Sequence, residues 1–150
     1  MVRRKLVLAT LTGFLTLLVT SHLFAQADVI EKRQKAMKGN SEAAKAIKAA
    51  AESKDYATIA TKAKDIMGTA EKIPDLFPKG STKGKTKAKD EIWEKRDEFT
   101  KAAKNLAKAA DQLEDAAKAK DDAAVTAKIK EVSGACGSCH KAFRAEKYSE

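Results

Sequence analysis

The mature part of this chain has little that would break a helix or build a sheet. There are 2 prolines and 7 glycines in 150 residues, and no stretch alternates apolar with polar residues as a half-buried strand does. An all-β architecture is therefore excluded. Cysteine and histidine number 2 each, and no acid–base pair, nucleophile constellation or phosphate-binding loop is present, so no enzyme active site is expected. Charge of one sign is not segregated either. The 30 basic residues are interleaved with 21 acidic ones, the pattern of solvated helix faces, which argues against nucleic acid as a partner.

The N-terminus carries a different signal. Arg3, Arg4 and Lys5 form a basic head, Leu6 to Val19 an apolar stretch, and Ala25-Gln26-Ala27 a small-residue cleavage site. That order predicts a secretory signal removed after Ala27. Thr10, Thr12, Gly13 and Thr16 interrupt the apolar run, which is shorter than the ~20 residues of a spanning helix. Residues 1–27 thus read as a signal peptide and 28–150 as one domain, periplasmic and without stable membrane insertion. The mature chain has 27 basic and 21 acidic residues, a net of +6.

Alanine and lysine dominate the mature chain, and both favour helix. Four helices are expected. The first runs from about Asp28 to Ala51, with Ile30, Met37, Ala44 and Ala51 in register and Ile47 between them. The second runs from about Asp55 to Ile73, where Pro74 and Pro78 stop it. A lysine-rich loop follows over 74–90. The third begins near Asp90 and repeats Ile92, Phe99, Leu106 and Leu113 every seven residues. The fourth is capped by Asp121 or Asp122 and carries Val125, Ile129, Val132, Cys136, Cys139 and Phe143 at steps of four and three. Two short connections and one long one predict an all-α, antiparallel, up-down-up-down four-helix bundle. Its alanine seams supply little apolar volume, which a large flat cofactor would add.

Cys136-Gly137-Ser138-Cys139-His140 matches C-x-x-C-H, the attachment signal for c-type haem. On a helix, residues three apart share a face, so both sulfurs can reach the two vinyl groups of one porphyrin. His140 follows to offer its imidazole to the iron, and small Gly137 and Ser138 let the backbone come close. A disulfide across one helical turn has poor geometry. A thioredoxin-like pair needs a strand before its helix, and zinc would need a fourth strong ligand that the mature chain lacks. One covalent haem c with its iron is the expected cofactor.

The up-down-up-down order places the start of the first helix, the end of the second and the start of the third at the His140 end. Met37, Met67 and Trp93 fall near that level, and counting alone leaves either methionine open as a second axial ligand. Arg33, four residues before Met37, faces either a haem propionate or solvent. Lys79, Lys83, Lys85, Lys87 and Lys89 crowd the long loop at the same end. They read either as a solvated connector or as a basic rim that steers an acidic redox partner.

These residues resemble the class II c-type cytochromes, the cytochrome c-prime family, over nearly all of the mature chain. The likeness rests on C-x-x-C-H followed by Phe143-Arg144 and on Arg33-Gln34-Lys35-Ala36-Met37. Ile73-Pro74-Asp75-Leu76-Phe77-Pro78 and Ile92-Trp93 complete it. The resemblance implies that Arg33 binds a propionate and that Arg144 lies near the haem on its proximal side. It also offers two branches. In one, Met37 is the sixth ligand of a low-spin, His/Met-ligated electron carrier. In the other, the iron is five-coordinate and high-spin and binds nitric oxide or carbon monoxide. The methionine at 37, the Leu-Phe-Pro loop and the Ile-Trp segment look more like the low-spin branch, which is the leading expectation. An acidic redox protein is the expected partner, with a homodimer left open.

Overall fold

The computed structural model describes residues 2–82 and 84–147, with side chains from Ala27 onward. The expected export signal therefore lies almost wholly outside the described side chains, as does Lys83. The chain forms α1 (Val2–Glu52), α2 (Tyr56–Lys72), a short α3 (Glu91–Glu94), α4 (Arg96–Lys118) and α5 (Asp122–Phe143), with one 3-10 turn at Pro74–Leu76. Among the described residues no helix is long and apolar enough to cross a membrane.

The long helices pack around the expected ring. α1 lies against α2, α2 against α4 and α4 against α5, while α1 and α5 close the ring with sparse contact and α2 and α5 lie diagonal, meeting at their starts where Tyr56 donates to Asp122. Sequential long helices run antiparallel; tight turns join α1 to α2 and α4 to α5, and the long loop joins α2 to α4. The two tight turns, α1–α2 and α4–α5, are built alike. Lys54 and Lys120 both take φ of 55°, and the following aspartate caps the next helix. Asp55 accepts from the Thr58 amide at 3.1 Å and Asp121 from the Ala124 amide at 2.9 Å, satisfying donors that a helix start leaves unpaired. Asp121 is thus the cap that sequence left between two aspartates.

The core matches the seams. Ile92, Phe99, Leu106 and Leu113 are all buried, and Ala63, Ala70, Ala110 and Ala117 are fully so. Side chains this small let α2 and α4 pack closely. Ile59, Ile66, Ile92 and Leu113 supply the bulk, each worth about 1.5–3 kcal/mol of burial.

Three expectations are corrected. First, α1 extends through the expected start at Asp28. Second, the α1 face buried against α2 is Ala43, Ile47 and Ala50, while Met37, Ala44 and Ala51 are only half-buried. Of this second line, Met37 faces α5 across a cavity at one end of the bundle. Third, the third helix does not run unbroken from Asp90. It breaks at Lys95 (φ −113°, ψ 50°), where Arg96 reaches back to the carbonyls of Pro74 at 2.7 Å and Phe77 at 3.0 Å. Trp93 Nε1 donates to Phe77 and Pro78 carbonyls at 3.2 and 2.8 Å. These bonds tie the segment after α2 to α3 and the start of α4, adding to its own turn bonds from Phe77 to Pro74 and from Ser81 to Pro78.

Candidate functional site

A cavity of about 340 Å³ opens at one end of the bundle, between α1, α5 and the long loop. That volume lies in the ordinary range for small-molecule and cofactor pockets. Its α1 wall is Ile30, Arg33, Gln34 and Met37, and its α5 wall is Cys139, His140, Phe143 and Arg144. Phe77, Ile92 and Phe99 line it from within, and Thr86, Lys87 and Ala88 from the loop. Phe99 makes edge-on contacts with Phe77 and Phe143 at centroid distances of 4.9 and 5.3 Å. This places a rigid aromatic floor under the opening.

The structure brings most of the expected residues to this one place. Cys139, His140, Arg144, Arg33 and Met37 all line the cavity. Cys136 lies one turn back on α5, half-buried against the core and with a free thiol, like Cys139. Met67 packs partly buried on the core and is not among the lining residues. Trp93 also lies outside the lining and serves instead to hold the Phe77 carbonyl.

His140 is in the last turn of α5, and its carbonyl accepts from the Arg144 amide at 3.0 Å. Burial, and then the nearby charge of Arg144, holds its imidazole below the usual histidine range. A neutral imidazole is the form that ligates metal. Burial also pushes both thiols up.

Arg33 is the most unusual group in the site. It is only 4% exposed, and its Nη2 donates to the Ser81 carbonyl at 2.8 Å. Its guanidinium lies 4.6 Å from the Phe77 ring centroid and 6.0 Å from that of Trp93. Nε and Nη1 are buried without a hydrogen-bond partner, and burial lowers its pKa to about 10. A buried cation with two unpaired N–H groups is costly unless an anion meets it. A haem carboxylate fits that requirement, as the two cysteines one turn apart fit its vinyl groups and His140 its iron.

The long loop fastens the mouth. Gln34 Nε2 donates to the Lys85 carbonyl at 2.9 Å, and Ala88 forms an antiparallel bridge with Arg144. The Lys89 amide reaches the Phe143 carbonyl at 3.1 Å and the Ala145 amide reaches the Lys87 carbonyl at 2.8 Å. Lys87 Nζ donates to the Glu146 carbonyl at 2.6 Å, and Lys89 Nζ to those of Lys141 and Ala142, both at 3.4 Å. The expectation of a five-lysine rim is therefore revised. Lys87 and Lys89 are half-buried fasteners, while Lys79 and Lys85 are exposed. Gly84 takes φ of 109°, and a Cβ there would stand 3.1 Å from Ile30 Cδ1, so glycine lets the loop lie close against α1.

Sequence reading missed Gln34, Thr86, Ala88 and Arg96. For Arg96 the proline-bounded segment was a usable signal, because carbonyls that precede a proline leave the helix ladder and need donors. The others carry no local signature.

The family model described as Cytochrome C' matches residues 28–144. A curated cytochrome c' from Rhodopseudomonas palustris is 37% identical over 151 aligned residues, covering 95% of this chain and 99% of that protein. Among solved structures, cytochrome c' from Thermochromatium tepidum superposes with a TM-score of 0.75 at 28% identity, covering 81% of this chain and 97% of that one. A further cytochrome c', described by an unusual ligand-controlled dimer dissociation, gives a TM-score of 0.76 at 28% identity and the same coverage.

Proposed function

This chain belongs to the cytochrome c' family, whose cofactor is a covalent haem c with its iron, and we propose that it is a periplasmic, five-coordinate monohaem protein that binds nitric oxide or carbon monoxide. The observation that carries the haem assignment is the pairing, across one cavity, of Cys139 and His140 with a buried arginine short of two partners. Cys136 and Cys139 would hold the vinyl carbons as thioethers, His140 the iron, and Arg33 a propionate. Arg144, at the C-terminal cap of α5, would keep a positive charge beside the proximal side.

When bound, the haem supplies one-electron redox chemistry and a coordination position for a diatomic gas. The chain's own residues set its surroundings. Burial favours the neutral form of His140, and Phe77, Phe99 and Phe143 keep the interior apolar. Met37 and Ile30 form the α1 wall across from α5. On this reading Met37 covers the distal face without ligating. The low-spin branch that led the sequence expectations gains no support from the relatives, all of which are named cytochrome c'.

One observation favours that second reading, in which the chain is a His/Met electron carrier. Met37 lines the cavity and Met67 does not, so a thioether is within the right walls. The absorption spectrum of the reduced holoprotein, with and without carbon monoxide, separates the two. A high-spin spectrum that shifts with the gas supports the proposal, and a low-spin spectrum indifferent to it transfers the assignment to the carrier.

The start of the family match at residue 28 supports cleavage after Ala27 and export to the periplasm. The absence of any acid–base or nucleophile pair in the sequence supports a binding and electron-exchange role rather than an enzymatic one. Ligand-controlled dimer dissociation in a relative makes a second copy of this chain a partner to test, by sedimentation of holoprotein with and without carbon monoxide.

A further inference from the structure

We propose that Lys89 is a positioning residue for His140, acting from the long loop as the C-terminal cap of α5. This rests on the reading above that His140 ligates the haem iron. Lys89 is not among the residues that line the cavity, so its effect on the cofactor runs through the helix.

α5 ends where its histidine must be held. The chain leaves the helix at Arg144 (φ −120°, ψ 128°), whose amide still bonds the His140 carbonyl at 3.0 Å. The next three carbonyls, those of Lys141, Ala142 and Phe143, lie beyond the helix ladder. The Ala145 amide, which a longer helix would offer to Lys141, goes instead to the Lys87 carbonyl at 2.8 Å. Carbonyls stranded at a helix end need donors from elsewhere. All three find them in Lys89. Its backbone amide reaches Phe143 at 3.1 Å, and its ammonium stands 3.4 Å from both Lys141 and Ala142. Each of the two side-chain contacts is longer than an ordinary N–H···O bond. Together they hold one cation at the negative end of the helix dipole, where it is favoured.

The lysine is fixed at its root. Its carbonyl accepts from the Ile92 amide at 3.2 Å, opening the turn into α3, and Ile92 is only 1% exposed. On its other side Ala88 bridges Arg144. Lys89 is itself half-buried, so its stem lies along the protein while the charged tip meets the helix end. The backbone that aims the ammonium is thus tied both to α5 and to the core.

His140 depends on that last turn. A metal-ligating histidine is ordinarily oriented by a hydrogen bond from its other ring nitrogen. Among the described residues no group accepts such a bond from His140, so the backbone of the turn sets where the imidazole points. Helix ends without partners open locally, and the ring moves with the turn that carries it. The long loop and the ligand are coupled through this one side chain, 52 residues from Lys141.

The test uses ferric holoprotein and reads the iron-shifted proton resonances of the haem methyls and the His140 ring, which follow the orientation of the axial imidazole. Lys89→Met keeps the apolar stem and removes the ammonium. It should move these resonances and speed exchange of the Arg144 amide by roughly 10-fold or more. Lys89→Arg should restore the resonances and bring exchange to within about twofold of wild type. Lys79→Met removes one positive charge from an exposed position of the same loop and should change neither. If Lys89→Met loads too little haem, Lys89→Gln, which keeps a donor without the charge, carries the comparison with the same expected direction. The assignment is overturned if the Lys89→Met or Lys89→Gln protein keeps the wild-type resonances, if Lys89→Arg fails to restore them, or if Lys79→Met moves them as far. The comparison holds in either spin state, so a low-spin wild type counts against five-coordination and not against Lys89. A wild type whose His140 ring shows no iron-induced shift removes His140 as the ligand, and the positioning role with it.

Discussion

Arg33 rests its guanidinium over the face of Phe77, 4.6 Å from the ring centroid. The ring supplies a cation–π contact on one side, and the Ser81 carbonyl takes one of the N–H groups. What remains, Nε and Nη1, has no protein acceptor. The residue is held in place by the fold with two donors left over.

That relationship fixes an expectation of opposite sign in two states. Arg33→Leu should leave apo-protein as stable as wild type or more so, since it removes buried donors with no partner. The same change should destabilise holoprotein by about 1–3 kcal/mol, the cost of stranding a carboxylate. Thermal melts of both forms check this, and equal shifts in the two states would remove the propionate assignment.

Attachment is tested directly. The double variant Cys136→Ala/Cys139→Ala should retain no haem after acid–organic extraction, and retention would contradict the thioether assignment. Apo-protein should also be markedly less helical by circular dichroism, because α1 and α5 touch sparsely and the seams are built largely from alanine.

For the distal side, Met37→Ala should leave a high-spin spectrum high-spin while speeding carbon monoxide binding, since a half-buried cover has been cut back. If wild type is low-spin, the same variant should become high-spin, and Met37 is then the ligand. Met67→Ala should leave either spectrum alone and cost on the order of 1–3 kcal/mol, below the range for a fully buried methionine.

The two tight turns give a stability prediction. Lys54 and Lys120 sit at positive φ, where a side chain is strained and glycine is not. Lys120→Gly should raise stability by roughly 0.5–1 kcal/mol. Lys54→Gly should gain less, because Lys54 also pairs with Asp122. Denaturant midpoints of the two variants check the order.

The helices and turns were legible because their signals are local. Asp55 and Asp121 stand before apolar periodicity, Pro74 follows it, and the seven-residue repeat of the third helix marks its buried face. The attachment motif was legible for the same reason. The break at Lys95 was not, since Glu94-Lys95-Arg96 are all good helix formers and only the distant Pro74 and Phe77 carbonyls account for it. Nor were the loop fasteners legible. Arg33 to Ser81, Gln34 to Lys85 and Lys87 to Glu146 join residues 48, 51 and 59 apart, and no spacing rule links such pairs.

The two ends of the bundle are closed by different kinds of bond. One end is held by caps within three residues of each other, reinforced where Asp122 meets Lys54 and Tyr56 across the two turns; the other is held by contacts that span a third of the chain. Long-range closure costs more loop entropy and offers less to offset it, so the cavity end is the cooperative unit that opens first and heals last. Its amides, Lys89 and Ala145 among them, should exchange with solvent far sooner than those of α2 and α4. Unlatching Ala88 from Arg144 would therefore open the cavity end before the capped turns at the other end give way.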